Sequence, residues 1–169
     1  MQDIVRESGV SAGLVYRYFT GKDDMIAAIV TEWHEDRSTR LQSTSDVESL
    51  LPAYLDVLAG IGRPEAGDAI RLSVQVWAEA LRSPRIRDLV RQGSHGPRSA
   101  AVAAIAAGQS AGTITANLDP DALARILIAI FQGLTLQTAW EDGVDNAAFV
   151  RTLAGMLDIL RLPAVDPAE

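Results

Sequence analysis

The corner Gly9-Val10-Ser11 limits the conformations open to this chain more than any other stretch. Before it, Met1, Ile4, Val5 and Ser8 recur at i, i+3, i+4 and i+7, the spacing of a helix with one buried face. Glycine can take the positive φ that ends a helix abruptly, and Val10 plugs the corner. Ser11 has the chemistry of an N-cap, its hydroxyl accepting from the free N–H groups of the next turn. Two short helices joined this tightly form a helix-turn-helix, whose second helix can enter the major groove of DNA.

At about 100° per residue, Val15 and Phe19 share the core side of that second helix. Gly13 and Arg17 point the opposite way, with Leu14 and Tyr16 flanking them and Tyr18 near the boundary. The planar fork of Arg17 matches guanine and phosphate acceptors alike. Tyr16 and Tyr18 offer hydroxyls to backbone oxygens at the rim of the groove. Gly13 costs helix stability but lets the helix sit close to a base pair. A solvated helix with two half-buried tyrosines would give the same isolated pattern.

Lys22 argues for the functional reading, being the only lysine beside fourteen arginines. It follows Thr20, which reads as the N-cap of the next helix with Asp23 three residues on. A cation in the first turn opposes the helix dipole, whereas a phosphate there would meet N–H groups, dipole and ammonium together. The DNA-reading set is therefore Ser11, Gly13, Leu14, Tyr16, Arg17, Tyr18 and Lys22.

The stretch GVSAGLVYRYFTGKDDMIAAI resembles the end of the DNA-binding domain of TetR-family transcriptional repressors, with Tyr16, Phe19 and Lys22 matching residue by residue. Leu14-Val15 and Arg17-Tyr18 stand where the family usually has Thr-Leu and Tyr-His, so the bases read would be this protein's own. The resemblance implies a ligand-responsive repressor that binds double-stranded operator DNA as a homodimer. It also implies a first helix and a basic arm of roughly 20–30 residues ahead of Met1, so the helix-turn-helix domain is expected to be truncated here. The alternative is a helical, dimeric small-molecule-binding module that has lost DNA binding with that helix.

The net charge of −7 argues against nonspecific attraction to nucleic acid, yet residues 8–22 carry Arg17 and Lys22 and no acid. There is no cysteine, hence no disulfide framework or thiolate metal site, which fits a cytoplasmic protein. The uncharged run Ile126–Trp140 holds Gln132 and Gln137 and is short for a membrane span, so a buried helix is expected and no membrane partner.

No sustained period-2 run occurs, and the chain reads as all-α with about eight helices. A long helix runs from Thr20 to about Arg40, with Met25, Ile26, Ile29, Val30 and Trp33 on its buried side. The polar break at residues 42–45 divides a helix-turn-helix domain with its linking helix (1–42) from a helical effector-binding and dimerisation domain (43–169). Ser45 to Glu48 is a capping box, and Gly60 to Pro64 ends the helix it opens. The next helix spans about Glu65–Arg82, with Ile70, Val74, Trp77 and Leu81 on one seam. Ser83-Pro84 opens another, which Pro97 is expected to kink or break within residues 93–97. Asp119-Pro120 and Asp145 start the last two helices.

Those last two look like an association surface. Phe149, Leu153, Met156, Leu157 and Leu160 form one stripe, and Ala129 and Gly133 are small enough for close approach. An intrachain core would use the same stripe, but two half-sites on DNA call for a symmetric dimer. Effector contacts are expected from Gln75, Trp77, Phe131, Thr135 and Trp140, with His95 and Gln109 as polar possibilities. An apolar or aromatic effector fits that set better than a charged one.

Gly108-Gln109-Ser110-Ala111-Gly112 satisfies G-x-S-x-G, but a nucleophile elbow needs a preceding strand and a later histidine. Residues 100–107 read as helix, and His34 and His95 both precede Ser110. No Glu-x-x-His pair or phosphate loop occurs either, so no enzyme, metal site or cofactor is expected.

Overall fold

The computed structural model describes Gly9 and residues 11–41 and 47–159, with the side chains of 33–41 and 47–48 left aside. The helix face at Met1, Ile4, Val5 and Ser8, the plug Val10, the cap Ser45 and the stripe residue Leu160 lie outside the described residues, as do the side chains of Trp33 and His34.

Within these residues the chain forms seven α-helices and one 3₁₀ turn: α1 (Ala12–Tyr18), α2 (Lys22–Leu41), α3 (Val47–Ile61), the 3₁₀ turn (Pro64–Ala66), α4 (Gly67–Ala80), α5 (Pro84–Ser110), α6 (Pro120–Trp140) and α7 (Asn146–Asp158). The punctuation is local chemistry. Ser83, Asp119 and Asp145 each accept a hydrogen bond from the N–H three residues on. Pro84 and Pro120 follow two of these caps, where a missing N–H costs nothing.

At Pro97 the expectation of a break is corrected, because α5 runs unbroken from Pro84 to Ser110. Proline there denies one N–H to the Gly93 carbonyl, a cost of about 3 kcal/mol in an ordinary helix interior. Burial on both sides of the defect outweighs it: Ile86 before it, Ala104, Ile105 and Gly108 after it. The G-x-S-x-G stretch is the end of this helix. Gly112 takes φ +72°, its N–H donates to the Gln109 carbonyl and that of Thr113 to the Gly108 carbonyl.

Helices α3, α4, α6 and α7 close around one core cluster: Leu58, Ile61, Ile70, Leu127, Leu134, Leu153 and Leu157. A second cluster joins Ala27 and Val30 of α2 to Val76 and Ala80 of α4 and Ile86 of α5. Thus α2 is clamped onto the bundle, and α1 rides on its N-terminal end. Leu81 departs from the seam expected for it, standing exposed in the turn after α4. Although α6 is long and apolar enough to cross a bilayer by composition, its Leu123, Ala124, Leu127, Leu134 and Thr135 are buried among the other helices.

Candidate functional site

Gly9 adopts φ +66°, the left-handed conformation the corner requires. Ser11 follows in extended conformation, and its Oγ accepts from the Leu14 N–H at 3.3 Å. Helix α1 ends at Phe19, whose N–H donates to the Val15 carbonyl. Val15 is the one buried residue of this helix. Gly13, Leu14 and Arg17 are exposed, and so are Tyr16 and Tyr18, at 55% and 70%. No atom of the described chain lies near where a Gly13 side chain would project, so that flank is open to a partner.

The exit from α1 is tied down by the acids of α2. Asp24 Oδ2 accepts from the Thr20 N–H at 2.9 Å and from the Thr20 hydroxyl, while Oδ1 pairs with the Arg85 guanidinium. The cap partner is thus Asp24 and not the expected Asp23, because α2 begins only at Lys22. The Thr20 hydroxyl and N–H, then Arg85, hold the Asp24 carboxyl below its ordinary value. Asp23 instead accepts from the Ser83 hydroxyl at 3.1 Å. Lys22 Nζ lies 3.8 Å from Glu79 Oε2, near the end of α4. Three successive residues of α2 therefore meet the α4–α5 corner.

That corner belongs to the two helices that supply much of a partly open cavity of about 130 Å³. Its walls come from Val30 on α2, Tyr54 on α3, Val76 and Trp77 on α4, Gly93, Ser94 and Pro97 on α5, and Leu127 and Phe131 on α6. Trp77 and Phe131 meet edge-on, their ring centroids 6.3 Å apart. Among the described residues no charged side chain lines the space. Its hydroxyls are engaged with carbonyls: Tyr54 with Leu127, Ser73 with Ala69 and Ser94 with Val90. Burial pushes the Tyr54 phenol well above its ordinary value, so it stays a neutral donor.

Of the effector contacts expected from sequence, Trp77 and Phe131 reach this cavity. Thr135 is buried one turn beyond and donates to the Phe131 carbonyl, outside the lining. Gln75 is exposed, Trp140 stands 65% exposed at the end of α6, and His95 is exposed on α5. Gln109 is spent on the carbonyls of Thr115 and Leu118, holding the α5–α6 loop. Tyr54 was missed, although an aromatic residue beside Pro52 on a helix otherwise rich in leucine was the available signal.

The association stripe divides. Leu153 and Leu157 are buried in the intrachain core, and Phe149, half-buried, packs against it. Met156 stands on the flank of that stripe, 60% exposed. On α6, Ala129 is exposed and Gly133 half-buried, in line with Ile126 and Trp140.

A short, capped, outward-facing helix behind a glycine corner, carried on a helical bundle with an apolar cavity, is the architecture of a helix-turn-helix transcription regulator. Residues 48–161 match the family described as BetI-type transcriptional repressor, C-terminal, and residues 1–29 match bacterial regulatory proteins, tetR family. The HTH-type transcriptional regulator UidR of Escherichia coli K12 is 20% identical over 157 residues, which is 93% of this chain and 80% of UidR. A TetR transcription regulator from Haloarcula marismortui superposes with a TM-score of 0.79 at 25% identity, covering 95% of this chain and 86% of that one. Salmonella enterica GusR gives 0.66 at 26%, over 94% and 84%. A transcriptional regulator from Saccharomonospora viridis, solved in complex with choline, shares the fold with a TM-score of 0.76 at 22%, over 96% and 86%.

The chain belongs to the TetR family of helix-turn-helix transcriptional regulators. Membership makes it a regulator and not an enzyme, and implies DNA and a small-molecule effector as its partners.

Proposed function

We propose that this protein is a cytoplasmic, ligand-responsive repressor that binds operator DNA as a homodimer. The observation that carries this reading is α1 itself, where Tyr16, Arg17 and Tyr18 stand exposed on a helix that buries only Val15. Arg17 would read a base edge or a phosphate, and Tyr16 and Tyr18 would contact the backbone at the groove rim. Ser11 shapes the helix start, Gly13 and Leu14 set how closely it approaches, and Lys22 takes a phosphate. Residues up to 42 serve as the reading head and 43–169 as the effector and dimerisation part, with Val30 of α2 reaching into the latter.

The effector is neutral and apolar or aromatic, because a charge would lose its hydration without a counter-ion among the described lining residues. A cavity of comparable size lined by Leu, Ile and Phe accepts benzene, which sets the scale of the group enclosed. Occupancy would favour a conformation whose two reading heads no longer match grooves about 34–36 Å apart.

The test is a titration of the full-length protein on DNA flanking its own gene, at fixed salt with excess nonspecific competitor. Arg17→Ala is expected to weaken retention about 10–100-fold, the worth of one good base or phosphate contact. Equal retention by parent and variant would remove Arg17 from its role. In a second arm, small neutral aromatics are expected to release the DNA. Release by charged compounds alone would overturn the effector class.

A further inference from the structure

Lys22 lies where the start of α2 meets the end of α4. It opens α2, two residues after the turn that leaves α1, and its side chain is well exposed. Its acidic neighbours on α2 are already engaged across the same interface, Asp23 by the Ser83 hydroxyl and Asp24 by Arg85. Those two contacts pin the α4–α5 corner against the start of α2. They leave Glu79, far less exposed than Lys22, within 3.8 Å of the ammonium. Glu79 lies just beyond Val76 and Trp77, both of which line the cavity.

We propose that Glu79 is an intramolecular competitor of the DNA backbone: it holds Lys22 in the free protein and gives it up on operator binding. This rests on the DNA-binding reading above and adds a residue outside the reading head that sets its affinity. An ammonium 3.8 Å from a carboxylate in a partly solvated setting is weakly held, so a phosphate can take it over. The exchange leaves Glu79 to recruit a cation, so fewer counterions are released overall than a free lysine would release. Because Glu79 sits on the cavity helix, a displacement of α4 alters how strongly it competes.

The experiment is operator titration by the parent, Glu79→Gln, Lys22→Gln, the double variant and Glu65→Gln, on the same flanking duplex at several low salt concentrations. Glu65 is exposed before the far end of α4, so its variant makes the same charge change away from Lys22. Glu79→Gln is expected to bind about 2–5-fold more tightly per subunit, the range of an exposed ion pair. Its salt dependence should steepen by up to about 0.9 in log–log slope per half-site. Glu65→Gln should change neither, and in the Lys22→Gln background the Glu79 effect should vanish. Equal or weaker binding by Glu79→Gln overturns the inference. So does a gain that survives Lys22→Gln or is matched by Glu65→Gln. Loss of specific retention by the parent itself would instead overturn the DNA-binding reading, and this inference with it.

Discussion

At Asp24 one carboxylate answers two donors of Thr20 and the guanidinium of Arg85. All three favour the ionised form, so the folded-state value lies below the unfolded one. Folding stabilised by a lowered carboxyl is intact above the unfolded value and is lost as pH falls through the folded one. The parent's melting temperature should therefore fall more steeply between about pH 5 and pH 3 than that of Asp24→Asn. Parallel slopes in thermal melts would show that Asp24 carries none of this dependence. What sequence revealed at this scale is what neighbours decide. Gly9, Ser11 and Val15 are legible because turn, cap and helical face depend on residues a few positions away. The pairing of Lys22 with Glu79 and of Asp24 with Arg85 joins residues about sixty positions apart, and no local pattern encodes it.

Between elements, the join of α3 to α7 is fixed by one side-chain hydrogen bond and a close approach at a glycine. Asn146 Nδ2 donates to the Leu58 carbonyl at 2.9 Å, where α3 is losing its own hydrogen-bond partners. A Cβ at Gly62 would lie 2.6 Å from Asn146 Cβ, an atom too close to the backbone to swing aside. Gly62→Ala should destabilise the fold by about 1–3 kcal/mol, the usual cost of overpacking, measured by chemical denaturation. An unchanged midpoint would mean that α7 can slide. Helix boundaries were largely legible, since Ser83-Pro84, Asp119-Pro120 and Asp145 each combine a side-chain cap with the right following residue. The run through Pro97 was not, because a break signal reports the local cost and not the burial at Ile86 and Ile105 that outweighs it.

For the molecule as a whole, the apolar surface left over on the last two helices is the strongest pointer to assembly. Ile126 and Trp140 on α6, Met156 on α7 and Ile159 at the C-cap of α7 are all exposed. Ala129 and Gly133 lie along the same side of α6, small enough for a second helix to come close. The proposed two-fold pairing uses this face, while Leu153 and Leu157 hold α7 to its own bundle. The double variant Ile126→Glu, Met156→Glu should sediment as a folded monomer and lose operator retention. A dimer that persists would move the interface elsewhere. By contrast, Leu153→Ala should cost about 2–5 kcal/mol of stability, as buried leucines do. Periodicity gave the stripe on α7 but not its direction, because two apolar faces on one helix look alike until the neighbouring helices are in place.

A solitary lysine has one more use. Across these 169 residues Lys22 carries the only side-chain amine, and it stands open to reagents. Within these residues an acylating label, followed by mass, therefore has a single lysine to mark, at the start of α2. Acylation also erases the positive charge there. The extent of labelling becomes a direct meter of what occupies that amine, carboxylate or nucleic acid. The same chemistry carried out by acyl donors in a cell would write onto the part of the molecule proposed to face DNA.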